Sequence, residues 1–180
     1  IDRWILSELN SLIKLVTEYL EAYDLTKAAR AISDFTIDQL SNWYVRRNRR
    51  RFWKSEKGKD KIAAYQTLHE CLLSISKLIA PFAPFIAEEL YQIFTVDTGN
   101  SQESVHLEML PTVQENVINP ELEHKMEQAI HIVSIVRSMR MKANLKVRQP
   151  LQKIIIPVLN EAQRIEIEQI KDVILDEINV

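Results

Sequence analysis

Apolar residues in the first segment recur at steps of four, three, four, three and four, from Ile5 through Leu9, Leu12, Val16 and Tyr19 to Tyr23. Only an α-helix puts such positions on one flank, and Ile13 and Leu20 widen the same stripe. The spacing predicts an amphipathic helix of about 20 residues, roughly 30 Å long, started by Asp2. Glycine reinforces the constraint, since it occurs only at positions 58 and 99. Phosphate-cradling loops need several clustered glycines, so a P-loop or dinucleotide-binding turn is excluded from this chain.

Similar periods continue downstream. Asp24 is placed to cap a second helix, with Ala28, Ile32, Phe35, Gln39 and Trp43 on one face. Continued at about 100° per residue, that face next carries Arg46, Arg47, Arg50 and Lys54. A core does not accept four unpaired cations, so this end of the helix is expected to meet water or an anion. "KGKD", Lys57 to Asp60, reads as a connection. A third helix follows, with Tyr65, Leu68, Leu72, Ile75 and Ile79 at core spacing. "APFAPF" interrupts it, because proline lacks a backbone donor, and Pro84 suits the first turn of a short fourth helix.

Thr95 to Asn119 reads mostly as loop, and Asn119-Pro120 as the start of a fifth helix. Leu122, Met126, Ala129, Val133, Val136 and Arg140 mark its face. "LKVRQPLQKIIIPVL" turns to β-branched residues and predicts two short strands around Pro150. Asn160 to Ile178 reads as helix, with "INV" entering a strand. The expected fold is mainly α: an antiparallel helical bundle over residues 1–143, and the start of a small α/β appendage over 144–180. Both ends read as cut from a longer polypeptide.

Charge is strongly segregated. Ser41 to Lys54, "SNWYVRRNRRRFWK", holds five arginines, a lysine and four aromatic rings in a chain of formal charge −2. Asn42 to Lys61 carries nine cations against two acids. Gln128 to Asn160 carries six cations and no acid. Cations interleaved with rings suit a polyanion, through displaced counterions, bidentate guanidinium contacts and base stacking. Trp53 flanks the cationic stripe and is the best stacking candidate, whereas Trp43 is expected in the core. Dipole relief at a helix end accounts for Arg51 and Lys54 but not for cations that begin at Arg46.

Catalytic constellations are absent from the pattern. Cys71 stands alone in an apolar run and reads as a buried thiol. His69 reads as a satisfied helix histidine, and His106 as part of a loop or short extended segment. His124 and His131 have no suitably spaced third ligand. Glu88 and Glu89 diverge by about 100° on a helix and make no acid–base pair. No stretch has the length of a membrane span or the layout of a signal peptide.

Four landmarks in order, "DRWILSELN", "LSNWYVRRNRRRFWK", "LIAPFAPFIAEELYQ" and "SVHLEMLP", resemble the anticodon-binding helical domain of class I aminoacyl-tRNA synthetases of the isoleucine, valine and leucine subgroup. "MKANLKVRQPL" and the terminal "INV" are most similar to the isoleucyl enzymes. The resemblance implies binding of the tRNA-Ile anticodon stem-loop, with the catalytic and editing domains of the same parent chain as neighbours. The signatures of the ATP site are missing here. The implied cofactors, ATP and magnesium, thus belong to the parent's catalytic domain, and none is expected in this segment. A cytoplasmic monomer is implied as well. The RNA contacts expected are Arg46, Arg47, Arg50 and Lys54, with Arg49 and Trp53 beside them. Arg3 and Trp4 are further contacts at the bundle end, and Lys142, Lys146 and Arg148 form a second patch. The same module from a valyl or leucyl enzyme, or a bundle that docks an acidic protein, are the alternatives.

Overall fold

The first helix, α1, spans Asp2–Glu21 and buries Trp4, Ile5, Leu9, Leu12, Ile13 and Val16, the flank that the four-three period defines. The structure, a computed structural model, describes residues 1–53, 58–96 and 102–180. Ile1, not Asp2, occupies the N-cap position, and no side chain caps this helix. Tyr23 departs from the expected stripe: it is 91% exposed, with φ 58°. Its N–H reaches Leu20 O, and Asp24 N–H reaches Tyr19 O, which closes α1 in a Schellman turn without glycine. Asp24 then begins α2 (Leu25–Asp34) by accepting from Lys27 N–H at 3.1 Å, as predicted.

The chain continues from α2 into an unusual segment. Phe35–Val45 is π-helical, with hydrogen bonds one residue wider than those of an α-helix. Its buried side chains are Phe35, Leu40, Trp43 and Tyr44. The step of five from Phe35 to Leu40 breaks the uniform 100° advance expected from the sequence. The short α3 (Arg49–Trp53) follows and buries Phe52. Phe52 packs edge-on against Tyr65, with ring centroids 5.2 Å apart.

Helix α4 (Lys59–Ile79) packs on α1, α2 and α3. Its buried line is Ala64, Thr67, Cys71, Ile75, Ser76 and Leu78, smaller residues than those expected, and Tyr65 is half exposed. Small side chains let α4 approach its neighbours closely. Pro84 opens α5 (Pro84–Thr95) at the first turn, as the sequence requires. Ala87 and Tyr91 of α5 bury with Val105 of a 3₁₀ turn, Val105–Leu107, against Leu73, Ile79 and Ala80.

The segment that leads to Asn119 is tied to α1 by two buried polar side chains. Gln114 N–H donates to Asn10 Oδ1 at 2.8 Å, and Asn119 N–H donates to Ser7 Oγ at 2.7 Å. Burial of Ser7 and Asn10 on an otherwise apolar flank is thereby satisfied.

By packing, the chain divides into residues 1–119 and 120–180, earlier than the expected boundary after 143. The reason is that α6 (Pro120–Lys142) packs against α7 (Glu161–Ile178), which makes it part of the second unit. Met126, Ala129 and Val133 face a core shared with Ile170, Ile174 and Ile178. The two expected strands are not formed, and the described residues contain no strand, so the α/β appendage is corrected to a helix pair with an irregular connection. Pro150 and Pro157 lack ladder donors, and Leu151 N–H goes to Asn179 O rather than to a neighbouring strand. The end of "INV" is a helix stop, with Asn179 in the left-handed region at φ 57°.

Candidate nucleic-acid interface

The arginine-rich stretch sorts itself by burial. Arg46, Arg49, Arg50 and Trp53 are exposed, and their spacing is that of one α-helical face. Asn48 and Phe52 are buried on the opposite side, and Arg47 and Arg51 are partly buried. The expected stripe of Arg46, Arg47, Arg50 and Lys54 is therefore shifted, because the π-helical turn upstream resets the phase. Arg49 and Trp53 move from the margin to the centre of the outward face. Lys54 lies outside the described residues.

Guanidinium–ring pairs hold this surface. The Arg46 and Arg47 guanidinium carbons lie 5.8 and 5.9 Å from the Trp43 ring centroid, and Arg49 lies 5.9 Å from that of Trp53. Arg46 Nε also donates to Asn42 O at 2.7 Å, which folds its stem back along the helix. Trp43 is 3% exposed, as expected, so it supports Arg46 and Arg47 from beneath. Trp53 is 78% exposed, and its ring offers a stacking surface at the end of the face.

Arg51 behaves unlike its neighbours. Nη1 and Nη2 donate to the two carboxylate oxygens of Asp2 at 2.7 and 2.8 Å. Nε and Nη2 donate to the Asp60 carboxylate at 2.9 and 2.7 Å, and Nη1 reaches Asn48 Oδ1 at 3.0 Å. Tyr44 Oη adds a donor to Asp2 at 2.9 Å. Hydrogen bonding from Arg51 holds the Asp2 carboxyl below its ordinary value, with Tyr44 adding to the effect. Burial, and then the bond to Asp2, push the Tyr44 phenol above its ordinary range. Arg51 thus serves neither as a solvated cation nor as dipole relief. No helical spacing announces this role, because Asp2 lies 49 positions away and Asp60 nine positions away across the connection to α4.

At the bundle end, Trp4 is corrected from RNA contact to core. It is 1% exposed, and its indole N–H donates to Glu8 Oε1 at 2.9 Å. The four-residue spacing of Trp4 and Glu8 is the readable signal. Arg3 is exposed.

In the second unit Lys142, Lys146 and Arg148 are all exposed around the turn after α6. Asn144, at φ 55°, closes that helix, with Leu145 N–H on Arg140 O at 2.8 Å. Arg140 organises the turn from below. It is 2% exposed and donates to the carbonyls of Lys146, Gln149 and Ile178 at 3.1, 2.8 and 2.6 Å. The sequence places Arg140 on the helix face but gives no sign of this carbonyl cage. Arg137 pairs with Glu177 at 2.6 Å beside it.

His69 meets Phe94 O at 2.8 Å, and burial pushes the Cys71 thiol up to about 12. Among the described residues no cluster of three His, Cys, Asp or Glu side chains could hold a metal. No helix among them is long and apolar enough to cross a membrane.

A family model described as the anticodon-binding domain of tRNA ligase matches residues 2–155. The chain belongs to that family. Curated relatives named isoleucine–tRNA ligase agree with it over the whole chain. The protein of Bacteroides thetaiotaomicron is 52% identical over 181 residues, covering 100% of this chain. That of Bacteroides fragilis is 50% identical, and that of Porphyromonas gingivalis 49%, each again across 100% of this chain. The chain spans only 16% of the length of these relatives. In this anticodon-binding domain the basic outward face of α3 and the turn after α6 are the cationic surfaces described above.

Proposed function

We propose that this chain is the anticodon-binding part of an isoleucine–tRNA ligase and holds the anticodon stem-loop of tRNA-Ile. The observation that carries the reading is the outward side of the stretch from Arg46 through α3, where Arg46, Arg49 and Arg50 are exposed together with the Trp53 ring. Such a face meets phosphates with cations and an unstacked loop base with an aromatic plane. Arg47 lies at its edge, and Arg3 remains a further contact. Lys142, Lys146 and Arg148 make a separate phosphate-binding turn. In this reading the segment contributes no chemistry of its own. ATP and magnesium serve the catalytic part of the parent enzyme, which forms the isoleucyl adenylate and charges the tRNA. The parent works as a cytoplasmic monomer.

The test is titration of the 180-residue chain with a tRNA-Ile anticodon stem-loop across a salt series. Affinity falls with a log–log slope of about −0.7 per phosphate neutralised. Replacing Arg46, Arg49 and Arg50 together by alanine reduces that slope by about 2. Equal binding by the triple variant, or equal affinity for an unrelated acidic protein, would refute the reading. Stem-loops of valine and leucine tRNAs, run alongside, separate the isoleucyl module from its nearest alternatives.

A further inference from the structure

We infer that Arg51 and Asp2 form a positioning pair that aims the arginine face of α3 at RNA without touching it. This inference rests on the RNA-binding reading above. Helix α3 has five residues, far fewer than a helix needs to be stable by itself. Its direction is therefore set by side-chain anchors to its neighbours. Arg51 fastens α3 to the start of α1 through Asp2 and to the start of α4 through Asp60. Tyr44 and Asn48 complete the same knot from the chain just upstream. Phe52 anchors the neighbouring position against Tyr65.

The same geometry removes Arg51 from the list of phosphate ligands. A phosphate that approached this guanidinium would meet the carboxylates of Asp2 and Asp60, which already occupy its donors. The side chains of Arg51 and Asp2 are also only 22% and 26% exposed. Five arginines that look alike in sequence thus divide into a group that meets solvent and one that orients the others.

Asp2→Asn gives the sharpest test. General electrostatics predicts that losing an acid strengthens binding to a polyanion. Positioning predicts the reverse. The variant binds the tRNA-Ile stem-loop about three- to ten-fold more weakly per folded molecule, with an unchanged salt slope, because the phosphate contacts remain the same in number. Arg51→Lys keeps the charge but loses the two-pronged grip, and it weakens binding in the same way. Folded fractions are taken from circular dichroism, so a purely structural role, which lowers only that fraction, leaves the corrected affinity untouched and overturns the inference. Asp2→Asn binding as tightly as the parent chain, or more tightly, overturns it too. So does a fall in slope of about 0.7 for Arg51→Gln, the mark of a direct phosphate contact. Should Asp2→Asn not fold, Arg51→Lys carries the test. Failure of the unaltered chain to bind RNA overturns the functional reading and this one together, whereas the preceding outcomes overturn this one alone.

Discussion

Arg51 grips both carboxylate oxygens of Asp2, at 2.7 and 2.8 Å, across 49 positions of sequence. The contact joins the first turn of α1 to the helix that displays the arginine face. Its energetic consequences can be measured apart from RNA.

Stability should carry the signature of Asp2. The folded-state pKa of its carboxyl is lowered from the ordinary 3.8, first by the hydrogen bond from Arg51. A lowered folded value means that the unfolded chain binds the proton more readily. The contribution is complete above the unfolded value and is lost as pH falls through the lower, folded one. Urea midpoints measured from pH 6 to pH 2 will decline in acid, and part of that decline disappears in Asp2→Asn. An identical acid profile for the two proteins contradicts this.

Arg51→Ala removes charged hydrogen bonds and leaves two carboxylates facing one another. We expect a loss of about 2 kcal/mol in chemical denaturation. Arg50→Ala, one position away and exposed, changes stability by no more than about 0.5 kcal/mol.

Trp53 offers a contrast between stability and binding. It is 78% exposed, so Trp53→Ala leaves the unfolding midpoint in place. Binding to the stem-loop weakens by about 1–3 kcal/mol if a loop base stacks on the ring. A binding isotherm that superposes on that of the parent chain excludes stacking there.

Tyr23 sits in the left-handed region at φ 58° and is 91% exposed, so its side chain gains little from packing. Tyr23→Gly relieves the backbone penalty and raises stability by up to about 1 kcal/mol. A thermal melt decides the sign.

Arg140→Met empties the carbonyl cage beneath the turn that carries Lys142, Lys146 and Arg148. The buried carbonyl of Ile178 and the partly buried one of Gln149 then lack their donor, at about 3 kcal/mol of stability. Limited proteolysis checks the local consequence: cleavage at Lys146 and Arg148 accelerates before global unfolding does.

The long helices were legible because their side chains obey one period over many turns. Ile5 to Val16 needed nothing else, and neither did the proline start of α5 or the Asp24 cap. Reading failed where a residue's partner lies far away in sequence. Trp4 reads as an RNA contact at the bundle end, yet its ring is buried in the core. Arg51 and Arg140 looked like members of basic clusters, yet each spends its donors on acceptors that the folded chain brings from elsewhere. The Ile154–Ile156 run has the composition of a strand, but a strand exists only with a neighbour to pair with, and composition does not supply one. The site was readable as a cluster and not as a face. Arg46 and Arg50 are exposed where the uniform period puts them outward, whereas the central exposure of Arg49 and Trp53 does not follow from it, because the wide turn from Phe35 to Val45 leaves no trace in the hydrophobic pattern.

That wide turn behaves like a gear between two shafts. With one more or one fewer residue between Phe35 and Val45, a conventional ladder would deliver α3 rotated by about 100°. Phe52 would then swing toward water and Arg50 toward the core, with no cation gained or lost. Insertions and deletions there, rather than charge substitutions, are the changes to which recognition by this domain is most exposed.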